Sequence, residues 1–232
     1  MNAVMNVVLF EGLVKLFLVV VVVSTAFILT GKDLLALFRT YALQSVFIAA
    51  VAFILFLQER NMILLYTAML TLVSKGIIIP KLLQKVQKSM NVRRDIEFHY
   101  LQPSGSIFLS IILLLVVHLI FLKIMRDVTT SSLFHTGLVV GVSLTFIGML
   151  IIFSRRKIIS KIVGYLTMEN GAVLFSLFMG ELPLLIEVLV LMDLMVLVLV
   201  AAMLAFGMDS SIEDFHYKLN PFRRWFKGGK EV

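Results

Sequence analysis

Apolar residues run almost without a break along this chain, in stretches about as long as a lipid bilayer is thick. Seven stretches can be read, at about residues 5–29, 34–57, 62–82, 105–124, 133–153, 158–179 and 183–206. Each is near the ~20 residues that a membrane-crossing helix needs. Backbone polar groups in hydrocarbon must be satisfied within their own segment, so continuous apolar runs of this length imply helices. A β-barrel would alternate apolar and polar positions instead. Hydrophobic residues make up 60% of the 232, so no separate water-soluble domain can be cut from the chain. The expected fold is all-α, a polytopic membrane protein with about seven transmembrane helices. The first stretch lacks a basic leader and a small-residue cleavage site, and reads as a retained helix.

The basic residues predict the orientation. Of 21 Lys and Arg, sixteen fall on one side of the expected spans: Lys32, Arg39, Lys81, Lys85, Lys88, Arg93, Arg94, Arg155, Arg156, Lys157, Lys161 and five in the C-terminal tail. Three fall on the other side: Arg60, Lys123 and Arg126. By the positive-inside rule the N-terminus is outside and the C-terminus cytoplasmic. The net charge of +7 therefore reflects topology and gives no sign of nucleic-acid binding. Cysteine is absent, which excludes disulfides, thiolate metal sites and cysteine-ligated iron–sulfur clusters. No cofactor is expected in this chain. No Gly-rich phosphate loop, metal-ligand cluster or nucleophile–base pair is visible either.

Against this apolar background the ionisable residues stand out. Lys161–Met203 reads as two helices joined by a tight turn at Gly180–Pro183. Glu169 lies about halfway across the first and Asp193 about halfway across the second, with Glu187 nearer one surface. A charge at the bilayer centre costs roughly 2.5–3.5 kcal/mol on insertion scales, so such groups are expected to face protein or water. Lys161, Tyr165 and Glu169 follow i, i+4, i+8, a stripe from the cytoplasmic surface to the middle. Asn170 lies beside Glu169.

Thr67, Thr71, Ser74 and Lys75 form a comparable stripe in the third span, with Gly76 and Pro80 placed to loosen or kink it. Lys75 is either a proton carrier beside a carboxylate or a chain snorkelling to the surface. Glu11 and Lys15, spaced i, i+4, read as a self-neutralising pair near the outer surface or as the mouth of an ion path. Tyr41, Gln44 and Ser45 share one face and suit helix–helix hydrogen bonding. His118, in the outer half of the fourth span, is a candidate proton relay or a packing residue. His135 sits at the outer edge of the fifth. Gly137, Gly141, Thr145 and Gly148 keep one face small and favour close helix approach. After residue 206, Ile212, Phe215, Leu219, Phe222, Trp225 and Phe226 suggest an interfacial segment in contact with lipid.

The chain divides as 1–104, a three-helix unit with a basic cytoplasmic loop; 105–132, a linking helix; 133–206, a second three-helix unit; and 207–232, a cytoplasmic interfacial tail. The two units run in the same direction. Each has an aromatic–polar centre on its second helix and an ionisable group, Lys75 or Asp193, on its third. That is the pattern of a parallel repeat.

Gly137-Leu138, Arg155-Arg156-Lys157, and Gly164 followed by an acid and Asn170 make the part from Gly137 to Met203 resemble two families. These are the small three-helix K-type subunit of respiratory complex I and the C-type subunit of multisubunit cation/proton antiporters. Tyr41-Ala42-Leu43-Gln44-Ser45, Ser74-Lys75 with Pro80, Met168-Glu169-Asn170-Gly171, and Glu187 with Asp193 make nearly the whole chain resemble component E of hydrogenase-4-type membrane complexes. The resemblance implies a non-catalytic subunit of a prokaryotic cytoplasmic-membrane complex that couples redox chemistry to proton or sodium translocation. Its partners would be other membrane subunits, antiporter-like ones among them, and any metal clusters would lie in those partners. Asp193 matches the second of two acids in the complex I subunit. At the first, this chain has Leu166, and Glu169 lies three residues further on. Two other readings remain, an autonomous secondary transporter and a scaffold subunit without an ion path.

Overall fold

The computed structural model describes residues 2–89, 102–125, 132–155, 157–179 and 191–200. Helix α1 spans Asn2–Thr30, α2 Leu34–Glu59 and α3 Met62–Val73. A π-helical turn, Ser74–Ile78, leads into α4, Ile79–Ser89. Then come α5 Pro103–Ile124, α6 Ser132–Ser154 and α7 Ile158–Met179, and a shorter apolar helix, α8, Leu191–Val200. Six spans, with α3 to α4 counted as one, are long and apolar enough to cross a membrane. The seventh expected span is described only over α8. The Gly180–Pro183 turn, Glu187 and the 207–232 tail lie outside the described residues.

Short polar signals break the apolar runs. Asp33 caps α2, accepting from the Leu35 backbone N–H, and Asn61 caps α3 through Ile63. Such side chains satisfy N–H groups that a helix start leaves open. Arg60 closes α2 in the left-handed region at φ 56°. Only two residues separate α2 from α3, which makes them antiparallel neighbours.

The third span is longer than expected and is not a uniform α-helix. Pro80 has no N–H to give and its ring crowds the carbonyl four residues back, at Gly76. The chain widens just before it, and the Ile79 N–H reaches the Ser74 carbonyl, five residues back. Beyond the turn, α4 buries Leu83 and Val86 and exposes Lys81, Lys85 and Lys88, so the helix continues past residue 82 as an amphipathic end.

The closest packing is between α6 and α7. A methyl added at Gly141 would lie 2.7 Å from the Phe175 backbone nitrogen, and one at Gly148 or Gly171 would collide with Met168 or Thr145. These pairs run in opposite directions along the two helices, so α6 and α7 are an antiparallel hairpin. As the small face of the fifth span predicts, the backbones come close enough for dispersion contacts that larger side chains would prevent. Helix α2 packs against α1, α3 and α7, while α5 lies at the periphery against α6 and α1.

The core consists of two apolar layers. One contains Val14 and Leu18 of α1, Ile48 and Leu55 of α2, Leu64 of α3, Leu144 of α6 and Leu174 of α7. The other contains Ile28 of α1, Phe38 of α2, Leu83 of α4, Ile151 of α6, Val163 of α7 and Val196 of α8. On the spans that contribute to both layers, buried polar residues sit where the layers meet: Ser24 and Thr25, Gln44 and Ser45, Thr71 and Lys75, and Thr167, Glu169 and Asn170; others, among them Thr67, Ser143, Ser154 and Ser160, are buried within or beyond a layer. A polar belt therefore crosses the bundle between two apolar slabs.

Candidate functional site

The centre of the belt is an ion cluster. Lys75 is 2% exposed, and its Nζ lies 2.9 Å from Oε1 of Glu169 and 3.8 Å from Oδ1 of Asp193. Ser74 Oγ donates to the other Asp193 oxygen at 2.8 Å. Three helical segments converge here: the π-turn, α7 and α8. The π-turn inserts one extra residue per turn, and such widenings recur at functional sites. Here it lets the adjacent residues Ser74 and Lys75 both reach Asp193.

Lys75 does not snorkel. Its stripe partners Thr67 and Thr71 are buried, so this face of the third span turns into the protein. An ammonium isolated in the interior would be strongly disfavoured, and two carboxylates supply the opposite charge it requires.

A neutral network extends the belt toward α1. Asn170 Nδ2 donates to Gln44 Oε1 at 3.1 Å and to Ser45 Oγ at 3.0 Å. Gln44 Nε2 in turn lies 2.9 Å from Thr25 Oγ1 and 3.2 Å from Ser24 Oγ. The aromatic–polar centres of the second and sixth spans thus meet directly, with Tyr41 fully buried beside them. Asn170 Oδ1, Ser143 Oγ and the Tyr165 hydroxyl are buried without a hydrogen-bond partner among the described residues. Buried polar atoms of this kind are ordinarily satisfied by ordered water.

Tyr165 and Lys161 lie about one and two turns from Glu169 along α7, toward the Arg155 end. They line a groove of about 240 Å³ between α7 and α8, together with Ile152, Ile162, Met195 and Leu199. Two residues of the predicted stripe, Lys161 and Tyr165, therefore share a groove whose other lining residues are apolar and which does not include Glu169.

Other sequence candidates fall elsewhere. Glu11 and Lys15 do not pair with each other among the described residues; the Lys15 Nζ reaches Ser132 Oγ on α6 at 3.4 Å. The helix–helix contact places that hydroxyl nearer than the carboxylate one turn away. His118 is remote from the cluster and stacks on His135, with ring centres 5.3 Å apart.

Arg155 departs most from its sequence reading. Expected at the membrane surface as a topology signal, it is 1% exposed. Its Nη2 lies 2.7–3.0 Å from the carbonyls of Ile28, Leu29 and Gly31. These belong to the end of α1, where the last carbonyls have no helical partner. The Arg155-Arg156-Lys157 run hides this, because nothing local marks one of three consecutive basic residues for burial.

Fold and site together define a multi-pass α-helical membrane protein with an ion cluster buried inside its bundle. The chain matches no family model, no curated protein and no solved structure.

Proposed function

We propose that this chain is a non-catalytic membrane subunit whose buried Lys75, Glu169 and Asp193 carry protons, or sodium, through part of a larger redox-driven pumping complex. The carrying observation is the charge imbalance of the cluster: one ammonium faces two carboxylates. Fully ionised, the group is one positive charge short of neutrality. In a low-dielectric interior that deficit favours uptake of a single proton or monovalent cation. The Lys75 ammonium is then free to favour whichever carboxylate stays ionised. Moving the added charge between Glu169 and Asp193 needs only a small displacement of one flexible side chain.

The rest of the belt supports the same reading. The groove along Lys161 and Tyr165 suits access from the basic, cytoplasmic face. The Asn170–Gln44–Ser24 network continues the polar layer sideways toward α1, where partner subunits can join it. The resemblance to component E of hydrogenase-4-type complexes, and to the small K-type subunit of complex I, suggests the kind of assembly. On this reading the chain sits in a prokaryotic cytoplasmic membrane with its N-terminus outside, and metal clusters and electron transfer belong to its partners.

The test is Glu169→Gln in the assembled complex within sealed membrane vesicles. Redox turnover is expected to persist while coupled ion movement falls. Undiminished ion pumping by a verified, fully assembled Glu169→Gln complex would rule out the relay.

The π-turn favours a second reading. Interrupted helices beside an ion site are common in secondary transporters, so the chain would then move its ion unaided. Ion flux through liposomes containing only the purified chain would establish this reading, and silent liposomes would leave the subunit reading.

A further inference from the structure

We propose that His118 and His135 form a clamp for a divalent transition-metal ion such as Zn²⁺, separate from the ion cluster and independent of the relay reading. The two residues lie on neighbouring antiparallel helices, α5 and α6, at the end of the bundle that also holds Lys15 and Ser132. Their rings are 5.3 Å apart between centres and inclined by 30°. Two imidazoles bound to one tetrahedral ion at about 2.0–2.1 Å per nitrogen would place their ring centres roughly 5 Å apart. The separation of the rings is therefore the one a shared ion requires, once rotation about the side-chain bonds turns a nitrogen of each stacked ring into the gap.

The hydrogen bonding points the same way. Both ring nitrogens of His135 are buried and have no hydrogen-bond partner among the described residues. A buried imidazole nitrogen left in that state is costly, and packing histidines normally place at least one on a carbonyl or carboxylate. A metal ion bridging to His118 would satisfy one of them. Neutral imidazole is a preferred ligand for zinc, copper and nickel. Magnesium and calcium, which select oxygen ligands, are excluded by the same chemistry.

Among the described residues no third His, Asp or Glu completes a group around the pair. Two protein ligands leave positions for water, as in an exchangeable site; structural zinc sites are closed by four protein ligands. Helix α5 buries little of its surface, and a bound ion would pin it to α6.

The test uses the purified full-length chain, stripped with a chelator and titrated with Co²⁺ and Zn²⁺. Wild type is expected to bind one ion per chain and to develop Co²⁺ absorption bands that Zn²⁺ abolishes. His118→Ala and His135→Ala should each weaken binding by at least the roughly 10–100-fold that even loss of an outer partner costs. The double variant should do no worse than the weaker single one. Binding should fall on acidification, because protons compete for the same nitrogens. Both histidines are only part-buried, and size-exclusion elution shows whether each variant stays folded. If a variant misfolds, the wild-type Co²⁺ spectrum decides alone. Absence of those bands, or wild-type affinity equal to that of a folded double variant, would make the pair a packing contact and end the proposal.

Discussion

Lys75 Nζ and Glu169 Oε1 meet at 2.9 Å inside the bundle, and Asp193 stands 3.8 Å from the same ammonium. The sharing is unequal, and the two carboxylates should respond differently to loss of their partner. Lys75→Met strands both acids and should destabilise by about 3–5 kcal/mol, the usual cost of leaving buried charge unpaired. Glu169→Gln leaves Lys75 with Asp193 and should cost less. Reversible unfolding of the purified chain in mixed micelles measures both. Equal losses would show that Asp193 gives Lys75 no support.

The same variant has a pH signature whose sign follows from charge. In Lys75→Met the stranded carboxylates are relieved by protonation, so the deficit against wild type should shrink as pH falls. A deficit that grows on acidification would contradict the pairing. Thermal midpoints of both proteins across a pH series give the comparison.

Arg155 holds three carbonyls at the end of α1. Hydrogen bonds from charged groups contribute about 1.5–3 kcal/mol each, and an ammonium cannot reproduce the planar fork of a guanidinium. Arg155→Lys should therefore lower the thermal midpoint clearly even though charge is kept. Arg39, which is exposed, is the control, and Arg39→Lys should change little.

Glycine position separates close packing from mere helix content. Gly171→Ala drives a methyl into Thr145 on α6, whereas Gly12 has open space around its Cβ position. Overpacking costs about 1–3 kcal/mol, so Gly171→Ala should destabilise. Gly12→Ala should be neutral or slightly stabilising, because alanine is the better helix former by about 1 kcal/mol. Unfolding curves of the two variants test this directly, and matching curves would refute tight α6–α7 packing.

Gln44 links Asn170 to Thr25 and Ser24. Gln44→Leu leaves those groups without their shared partner. Side-chain hydrogen bonds in membrane bundles average about 0.6 kcal/mol and reach about 1.7, so a loss of about 1–2 kcal/mol is expected for the several bonds removed. Measuring Gln44→Leu, Asn170→Leu and the double variant as a cycle should show strong coupling. Additive losses would mean the two residues do not act as one network.

What the amino-acid sequence determined by itself was whatever depends on local composition. Continuous apolar runs dictate spanning helices because hydrocarbon offers the backbone no partner. The small residues of α6 announce a close neighbour, whereas the capping by Asp33 and Asn61 was read only from the structure. The ionisable residues were legible as candidates because each is costly where it stands. Which of them meet was not legible. Helical spacing orders residues along one face of one helix and says nothing about the face opposite. It could not show that Lys75 serves Glu169 and Asp193 rather than a surface phosphate, that Lys15 turns to Ser132 instead of Glu11, that His118 lies on His135, or that Arg155 leaves its basic run to cap α1. Those choices belong to the tertiary structure. In an apolar medium a polar group takes the nearest partner that packing brings to its depth, however far away in the chain that partner lies.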